Sequence, residues 1–356
     1  MIFINARFLT KRITGVERYA TEISLALKKI ERGIIFLSPS RELKESYIKQ
    51  FKIKKVGIFN NYFWEQLELP LFLRKNKNPL LINLTNTAPI IYKNQITVIH
   101  DLAFIHNPGW YTKKAALFFK WLVKRSALSS KHIITVSNFS KKEIEKYLNI
   151  SSEKISVVPE AVPSCIVDLS RLDYPNNWGN YILTVSTLEP RKNLVNLIQA
   201  FLKLNLNGYK LLIVGAQNKI VFMEPELDRL RLNDNIVFLG YVDDPTLVGL
   251  YKNAKLFTYI SYYEGFGLPP LEALVCGCPV LASNSSSIPE VCGEYAKYCD
   301  PYDINDIAGK MDNMIFQPSI INDKQIKDLL DRYNWEKTSQ LFMNIVHRIE
   351  SQNNKP

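Results

Sequence analysis

Residues 259–291 read YISYYEGFGLPPLEALVCGCPVLASNSSSIPEV, and this stretch decides the fold. A short apolar strand, Leu256 to Ile260, enters it, and a helix of small residues, Leu271 to Cys276, leaves it. Between them Glu264 and Glu272 stand eight residues apart, enclosing Gly265, Gly267 and the pair Pro269-Pro270. Proline suits the first turn of a helix, where its missing N–H would have no partner. Glycine lets backbone N–H groups approach a ligand closely. A loop that feeds a helix N-terminus favours anions, and a carboxylate on either side accepts hydrogen bonds from hydroxyls. The stretch therefore predicts a pocket for a phosphorylated sugar, with Glu264 at one end and Glu272 at the other. Gly265, Phe266, Gly267 and Leu268 are the loop residues expected to meet the ligand. Taken alone, the glycines and prolines would only punctuate a strand–turn–helix.

The whole string is more specific than its glycines. EGFGLPPLEAL followed by GCPVLASNSSSIPEV resembles the donor-site signature of retaining glycosyltransferase family 4, the E-x7-E pattern of the GT-B fold. The resemblance is strong from Asn180 to Pro301 and weaker over residues 1–160. It implies an α/β protein of GT-B type, two Rossmann-like domains whose parallel sheets face each other across a deep cleft. It also implies transfer of a sugar from a nucleotide-diphosphate donor, with retention at the anomeric carbon and no obvious protein nucleophile.

A chain of 356 residues suggests two domains, since single cores rarely grow much past ~250–300 residues. Apolar residues make up 47 % and charged residues 22 %, as in ordinary globular proteins. No apolar run approaches the ~20 residues that span a bilayer, and the N-terminus does not read as a signal peptide. The five cysteines form no CxxC and have no histidine pair nearby. Reduced thiols in a cytoplasmic protein are expected, without disulfide or zinc. Charge is uneven. Residues 1–170 hold 27 Lys+Arg and 13 Asp+Glu, a net of +14, against −3 for the remainder. Such asymmetry points to a polyanionic partner for the first half.

Residues 1–9 read as a strand, and Thr14-Gly15 opens a helix whose Tyr19, Ile23, Leu27 and Ile30 recur at helical spacing. Gly15 marks either a ligand contact or a plain helix entry. The family often has a second glycine where this chain has Glu17. Strand-like runs follow at Ile34–Leu37, Ile53–Ile58, Leu80–Leu84, Ile96–His100, His132–Val136 and Ile155–Val158, with helices between most of them. This alternation predicts a mostly parallel sheet covered on both faces. His100-Asp101 should stand at the carboxyl end of a parallel strand, where open α/β sheets bind ligands. His100 is a candidate catalytic residue, with Asp101 as its orienting partner; the resemblance adds that a histidine in the matching loop commonly lies near the transferred sugar. Residues Lys113 to Arg125, KKAALFFKWLVKR, place Leu117, Phe118, Trp121 and Leu122 beside five basic residues. Such a helix either packs its stripe on the sheet or lies in an anionic membrane interface. Basic areas at Lys49–Lys55 and Arg74–Lys77 would add attraction to anionic lipid. Nucleic acid is disfavoured, because no recognised binding motif accompanies the charge.

Residues 1–160 thus form the expected acceptor-binding domain, 161–178 a linker and hinge, and 179–334 the donor-binding domain. The helix at 335–350 is expected to cross back to the first domain, as in GT-B relatives. The second half restarts with a strand at Tyr181–Ser186, a helix at Asn193–Leu204 and a strand at Tyr209–Val214. It lacks GxGxxG, so a dinucleotide cofactor is not expected. Glu189, Arg191 and Lys192 precede its helix. Two cations on a helix N-terminus form an electrostatic clamp for a diphosphate, unless they are merely solvated. STLEPRKN also resembles the family's diphosphate-binding motif, in which a basic residue at the position of Lys192 contacts the phosphates. Some members have a further arginine where this chain has Ser186. In relatives the GYV turn holds the base, here near Tyr241-Val242. Asp243 and Asp244 read as a helix cap, and no DxD stands at a strand end, so no metal is expected.

These readings combine into a retaining, metal-independent hexosyltransferase with no cofactor beyond its nucleotide-sugar donor. Arg191 and Lys192 would meet the diphosphate, Glu272 the ribose, Glu264 the sugar hydroxyls and His100 the reacting face. The resemblance to bacterial mannosyltransferases of surface polysaccharide assembly favours GDP-mannose slightly over UDP-hexoses. The acceptor would be a glycan or lipid-linked glycan at the inner face of the plasma membrane. A GT-B nucleotide-sugar epimerase and a non-catalytic partner that binds a glycan or a nucleotide sugar are the alternatives.

Overall fold

The computed structural model describes residues 2–11, 14–39, 50–216 and 225–353. Two compact units account for them. One comprises residues 1–105, 117–161 and 334–356, and the other residues 106–116 and 162–333.

Among the described residues the first unit has seven strands: β1 (Ile2–Asn5), β2 (Ile34–Ser38), β3 (Ile53–Lys55), β4 (Leu80–Asn83), β5 (Gln95–Val98), β6 (His132–Thr135) and β7 (Ile155–Val157). Their order is β3-β2-β1-β4-β5-β6-β7, and every pairing is parallel. β1, β4, β5 and β6 are buried along their whole length, which explains the near-continuous apolar runs of β1 and β4. The first strand is shorter than the 1–9 expected. Ala6 makes the last pairing through its N–H to Leu37 O, and Arg7–Thr10 then winds into a 3-10 turn closed by Leu9 N to Ala6 O. The helix Gly15–Ile30 packs on Trp335–Asn353, bringing the Tyr19 and Trp335 rings within 5.9 Å.

The described residues of the second unit form six strands: β8 (Asn180–Val185), β9 (Tyr209–Val214), β10 (Ile236–Gly240), β11 (Leu256–Tyr259), β12 (Val280–Ser283) and β13 (Lys297–Cys299). Their order is β10-β9-β8-β11-β12-β13, again all parallel. Helix Leu194–Lys203 buries Leu197, Ile198 and Phe201 against this sheet, together with Met311 and Met314 of helix Ile304–Phe316. The 161–178 segment is not wholly irregular. Ser164–Leu169 is helical, and Lys252 Nζ of helix Asp244–Asn253 donates to Ser170 O at 3.0 Å.

In both sheets the strand order reverses between the first and fourth strands, β1/β4 and β8/β11. Loops leaving the two strands there diverge and open a crevice at their carboxyl ends. In the second unit those loops carry Glu189–Lys192 and Tyr262–Gly267, so the topology itself brings the two motifs together. Gly215, after β9, has φ +147°, and a Cβ there would lie 1.7 Å from Ser186 O. Only glycine lets the β9 loop pass this close to the β8 loop.

Candidate active site

The site is assembled from the loops after β8 and β11. Glu189 precedes the 3-10 turn Pro190–Lys192, and Asn193, at φ 58°, reverses the chain into helix Leu194–Lys203. Asn193 Nδ2 anchors this reversal on Pro301 O at 2.7 Å. Tyr262 N donates to Arg191 O at 2.8 Å, tying the two loops together through the backbone.

Four charged side chains then interlock. Arg191 Nε donates to Glu189 Oε2 at 2.8 Å, while its Nη1 donates to Glu264 Oε2 at 3.1 Å and to Tyr263 O at 3.2 Å. Lys192 Nζ lies 2.5 Å from Glu264 Oε1 and 2.9 Å from Tyr259 Oη. The Tyr259 hydroxyl in turn donates to Glu264 Oε1 at 3.0 Å. Glu189, Lys192 and Glu264 are all buried. Burial alone would raise the Glu264 carboxyl, but Lys192 and Arg191 outweigh it and hold the group below the usual carboxylate range. The same balance, with Arg191 foremost, holds Glu189 at about 2. Lys192 is pulled down by burial and by Arg191 beside it, against the attraction of Glu264 and Glu189. Two cations face two carboxylates, so the cluster as it stands is internally neutral.

Glu272, eight residues on, sits in helix Leu268–Val275 and accepts from Tyr251 Oη at 3.0 Å in a buried setting. That helix begins three residues before the expected Leu271. Gly267, at φ 108°, caps it, and Pro269 and Pro270 occupy its first turn. The φ of 108° is a conformation that only glycine adopts without strain, and it brings the loop against Ile288 of the following helix, whose Cδ1 would lie 2.6 Å from an added Cβ. Gly265, Phe266, Gly267 and Leu268 are thus held in one tight turn. Ser287 Oγ donates to Glu264 O and Phe266 O at 2.9 and 2.8 Å, and Ser286 Oγ accepts from Glu264 N at 3.0 Å. Sequence reasoning missed these serines and Tyr259. The SSS run before Pro289 was their signal. Val242 is half-buried beside exposed Tyr241, and Asp243 caps the next helix by accepting from Thr246 N at 3.0 Å.

Gly15 and His100 belong to the other unit. Gly15 opens its helix, and a Cβ there would meet nothing within 4 Å. His100 is buried, with Nδ1 3.0 Å from Glu160 Oε1 and Nε2 3.0 Å from Leu84 O. Burial disfavours its charge, but the bond to Glu160, that carboxylate's field and the Leu84 carbonyl together raise the imidazole above its ordinary value. The orienting partner is therefore Glu160. Asp101 turns instead to its own chain and accepts from Ala103 N at 3.2 Å. A short Asp side chain next to its helix N-terminus finds that N–H first.

A buried network in this unit was also missed. A π-helical turn, Trp64–Glu68, points Glu65 inward to accept from Asn5 Nδ2 at 2.9 Å and Thr87 Oγ1 at 2.9 Å, with Arg7 Nε at 3.4 Å. Helices Gly15–Ile30 and Asn61–Phe63 and strands β2 and β3 all lie between Arg7 and Glu65 in the chain, so no local signal pairs them.

Helix Lys113–Ser129 buries Leu122 but leaves Leu117 70 %, Phe118 40 % and Trp121 50 % exposed. Phe63, Leu67 and Leu71 are exposed as well, and the neighbouring Tyr62 ring lies 5.1 Å from Phe118. Lys49, at the edge of one expected basic area, lies outside the described residues. No helix among the described residues is long and apolar enough to cross a membrane.

Comparison with known proteins agrees with this architecture. A model of glycosyl transferases group 1 matches residues 175–332, and one of Glycosyltransferase Family 4 matches residues 13–164. The O-antigen chain mannosyltransferase RfbU of Salmonella typhimurium is 30 % identical over 273 residues, 76 % of this chain and 72 % of that protein. The O-antigen chain mannosyltransferase B of Escherichia coli is 38 % identical over 161 residues, 42 % of this chain but only 40 % of that protein. Among solved structures, a sucrose-phosphate synthase from Thermosynechococcus elongatus superposes with a TM-score of 0.74 over 99 % of both chains, at 15 % identity. That likeness is one of fold. Two all-parallel sheets, loops converging at a strand-order reversal and these matches lead to one conclusion: the chain belongs to the family 4, group 1 glycosyltransferases of the GT-B fold.

Proposed function

We propose that this glycosyltransferase moves a hexose, with mannose from GDP-mannose the first donor to test, onto a hydroxyl of a glycan or lipid-linked glycan during surface polysaccharide assembly. The observation that carries the reading is the Arg191–Lys192–Glu264 cluster at the strand-order reversal. A diphosphate entering there takes Arg191 and Lys192 as partners and frees Glu264 to accept hydrogen bonds from sugar hydroxyls. Glu189 keeps Arg191 oriented, and Glu272 receives the ribose. The backbone from Gly265 to Leu268 and the turn at Val242 border the nucleotide, and Gly15 borders the acceptor.

In transfer, the bond from the anomeric carbon to the diphosphate breaks and a bond to the acceptor oxygen forms. The hydroxyl proton leaves with the diphosphate. Fixed cations stabilise the growing charge without reorganising, which is the largest single contribution in many enzymes. The reading includes retention at the anomeric carbon and no metal. His100, with both ring nitrogens engaged by Glu160 and the Leu84 carbonyl, lines the reacting face as a fixed group rather than as a free proton acceptor.

Nucleotide-sugar turnover without acceptor separates this reading from its rivals. A transferase releases the nucleoside diphosphate slowly to water, an epimerase yields an isomeric nucleotide sugar, and a binding partner does neither. A thermal-shift screen with GDP, UDP, dTDP and ADP names the base, since ligand at a hundredfold excess over its dissociation constant stabilises by about 2.7 kcal/mol.

We also propose peripheral contact with anionic lipid at the inner face of the plasma membrane. Exposed Leu117, Phe118 and Trp121 beside Lys113, Lys114, Lys120 and Lys124 support it, as do Phe63, Leu67 and Leu71. Flotation with vesicles containing anionic lipid tests it, and absence of the protein from the floated fraction would reject it.

A further inference from the structure

Residues 106–116 group with the second unit although the chain on either side of them belongs to the first. This excursion carries two aromatic rings to the loop after β11. Asn107 caps the turn Pro108–Trp110 by accepting from Gly109 N at 3.0 Å, which fixes where Trp110 stands. Trp110 lies nearly parallel to Tyr262, at 8° and 6.5 Å between centroids. Tyr302 stacks on Tyr262 at 4.7 Å, and His106 stacks on Trp110 at 6.0 Å. His106 also meets Tyr263 at 4.6 Å. The result is a row, Tyr302–Tyr262–Trp110–His106. Its Tyr302 end is 71 % exposed, His106 is exposed and Trp110 is half-buried.

The row is joined to the charged cluster. Tyr262 N donates to Arg191 O, and Arg191 Nη1 bridges Tyr263 O and the Glu264 carboxylate. Asn196 Nδ2 fixes the Tyr262 hydroxyl at 3.0 Å. Exposed rings stacked on one another have already lost their rotamer freedom, so a ligand that packs on them does not have to order them. A pyranose suits such a surface. One face of the sugar is a patch of C–H groups that packs on an aromatic ring, while its hydroxyls reach polar edges. The row adjoins Glu264, the sugar end of the pocket in the proposed function, rather than the Glu272 end assigned to the nucleoside.

We propose that Tyr302, Tyr262, Trp110 and His106 form a stacking shelf for a hexopyranose unit of the acceptor glycan. The proposal rests on the glycosyl-transfer reading above. Saturation-transfer difference NMR with trisaccharides of mannose, galactose and glucose tests it, with the thermal shift produced by the preferred nucleotide as a parallel reading. Wild-type protein is expected to saturate the ring C–H protons of at least one trisaccharide. Tyr302→Ala and Trp110→Ala should lower that signal at least fivefold, and Trp110→Phe and Tyr302→Phe should retain it. The nucleotide shift should be the same in all five proteins, which also shows that the variants fold. A trisaccharide signal unchanged in both alanine variants would overturn the shelf. So would a wild type that binds nucleotide but contacts no trisaccharide. A protein stabilised by no nucleotide would instead remove the glycosyl-transfer reading, and the shelf with it.

Discussion

Lys192 and Glu264 stand 72 residues apart in the chain, yet Nζ and Oε1 meet at 2.5 Å inside a buried cluster. Only the adjacency of β8 and β11 makes this possible. The pair means that the cation expected to meet a diphosphate is already engaged by a carboxylate, so ligand binding is an exchange of partners.

Glu264→Gln should separate the two roles of that carboxylate. The amide keeps its size but no longer neutralises Arg191 and Lys192. Free nucleoside diphosphate should therefore bind more tightly, on the order of tenfold, which corresponds to about 1.4 kcal/mol. Donor turnover should fall, because the sugar hydroxyls lose their acceptor. Isothermal titration checks the affinity, and weaker diphosphate binding by the variant would refute the exchange.

Acid should loosen the second unit through Glu189. Its folded value of about 2 lies below the ordinary 4.5, so its contribution is present above pH 4.5 and is lost as pH falls toward 2. At about 1.36 kcal/mol per unit, the share is on the order of 3 kcal/mol. Glu264, also depressed, acts in the same direction. The urea midpoint should drop between pH 6 and pH 3, and the drop should be smaller in Glu189→Gln. Equal drops would show that the pairing contributes nothing.

The opposite sign holds for His100. Its folded value is raised above 6.5, so the stability it contributes is complete below that pH and is lost as pH rises through the folded value. Glu160→Gln removes the partner that raises it. The melting temperature of the wild type should decline on the alkaline side while that of the variant stays flatter. Parallel profiles would count against a charged imidazole.

These residues also show what was legible beforehand. The strands were visible because parallel strands buried on both faces read as continuous apolar runs, as in β4 and β11. The types of residue in the site were visible from their loops. Their pairing was not, because strand order, rather than spacing, decides that Lys192 reaches Glu264. Asp101 drew attention by adjacency, while the true partner of His100 lay 60 residues away at Glu160. Glu65 needed a π-helical turn to point inward, and nothing in the spacing of residues 64–68 announces one. Nor does anything local to residues 106–116 assign them to the second unit. That grouping becomes visible only when Trp110 is seen beside Tyr262.

The most direct test of the central claim is release of nucleoside diphosphate from nucleotide sugars, GDP-mannose first and then UDP, dTDP and ADP sugars, by wild type and Lys192→Ala. The wild type should turn over at least one donor, and the variant should be slower by about a hundredfold or more, as when one preorganised charge-stabilising donor is removed. A variant that releases the diphosphate at nearly the wild-type rate would contradict the clamp, and with it the role given to Glu264.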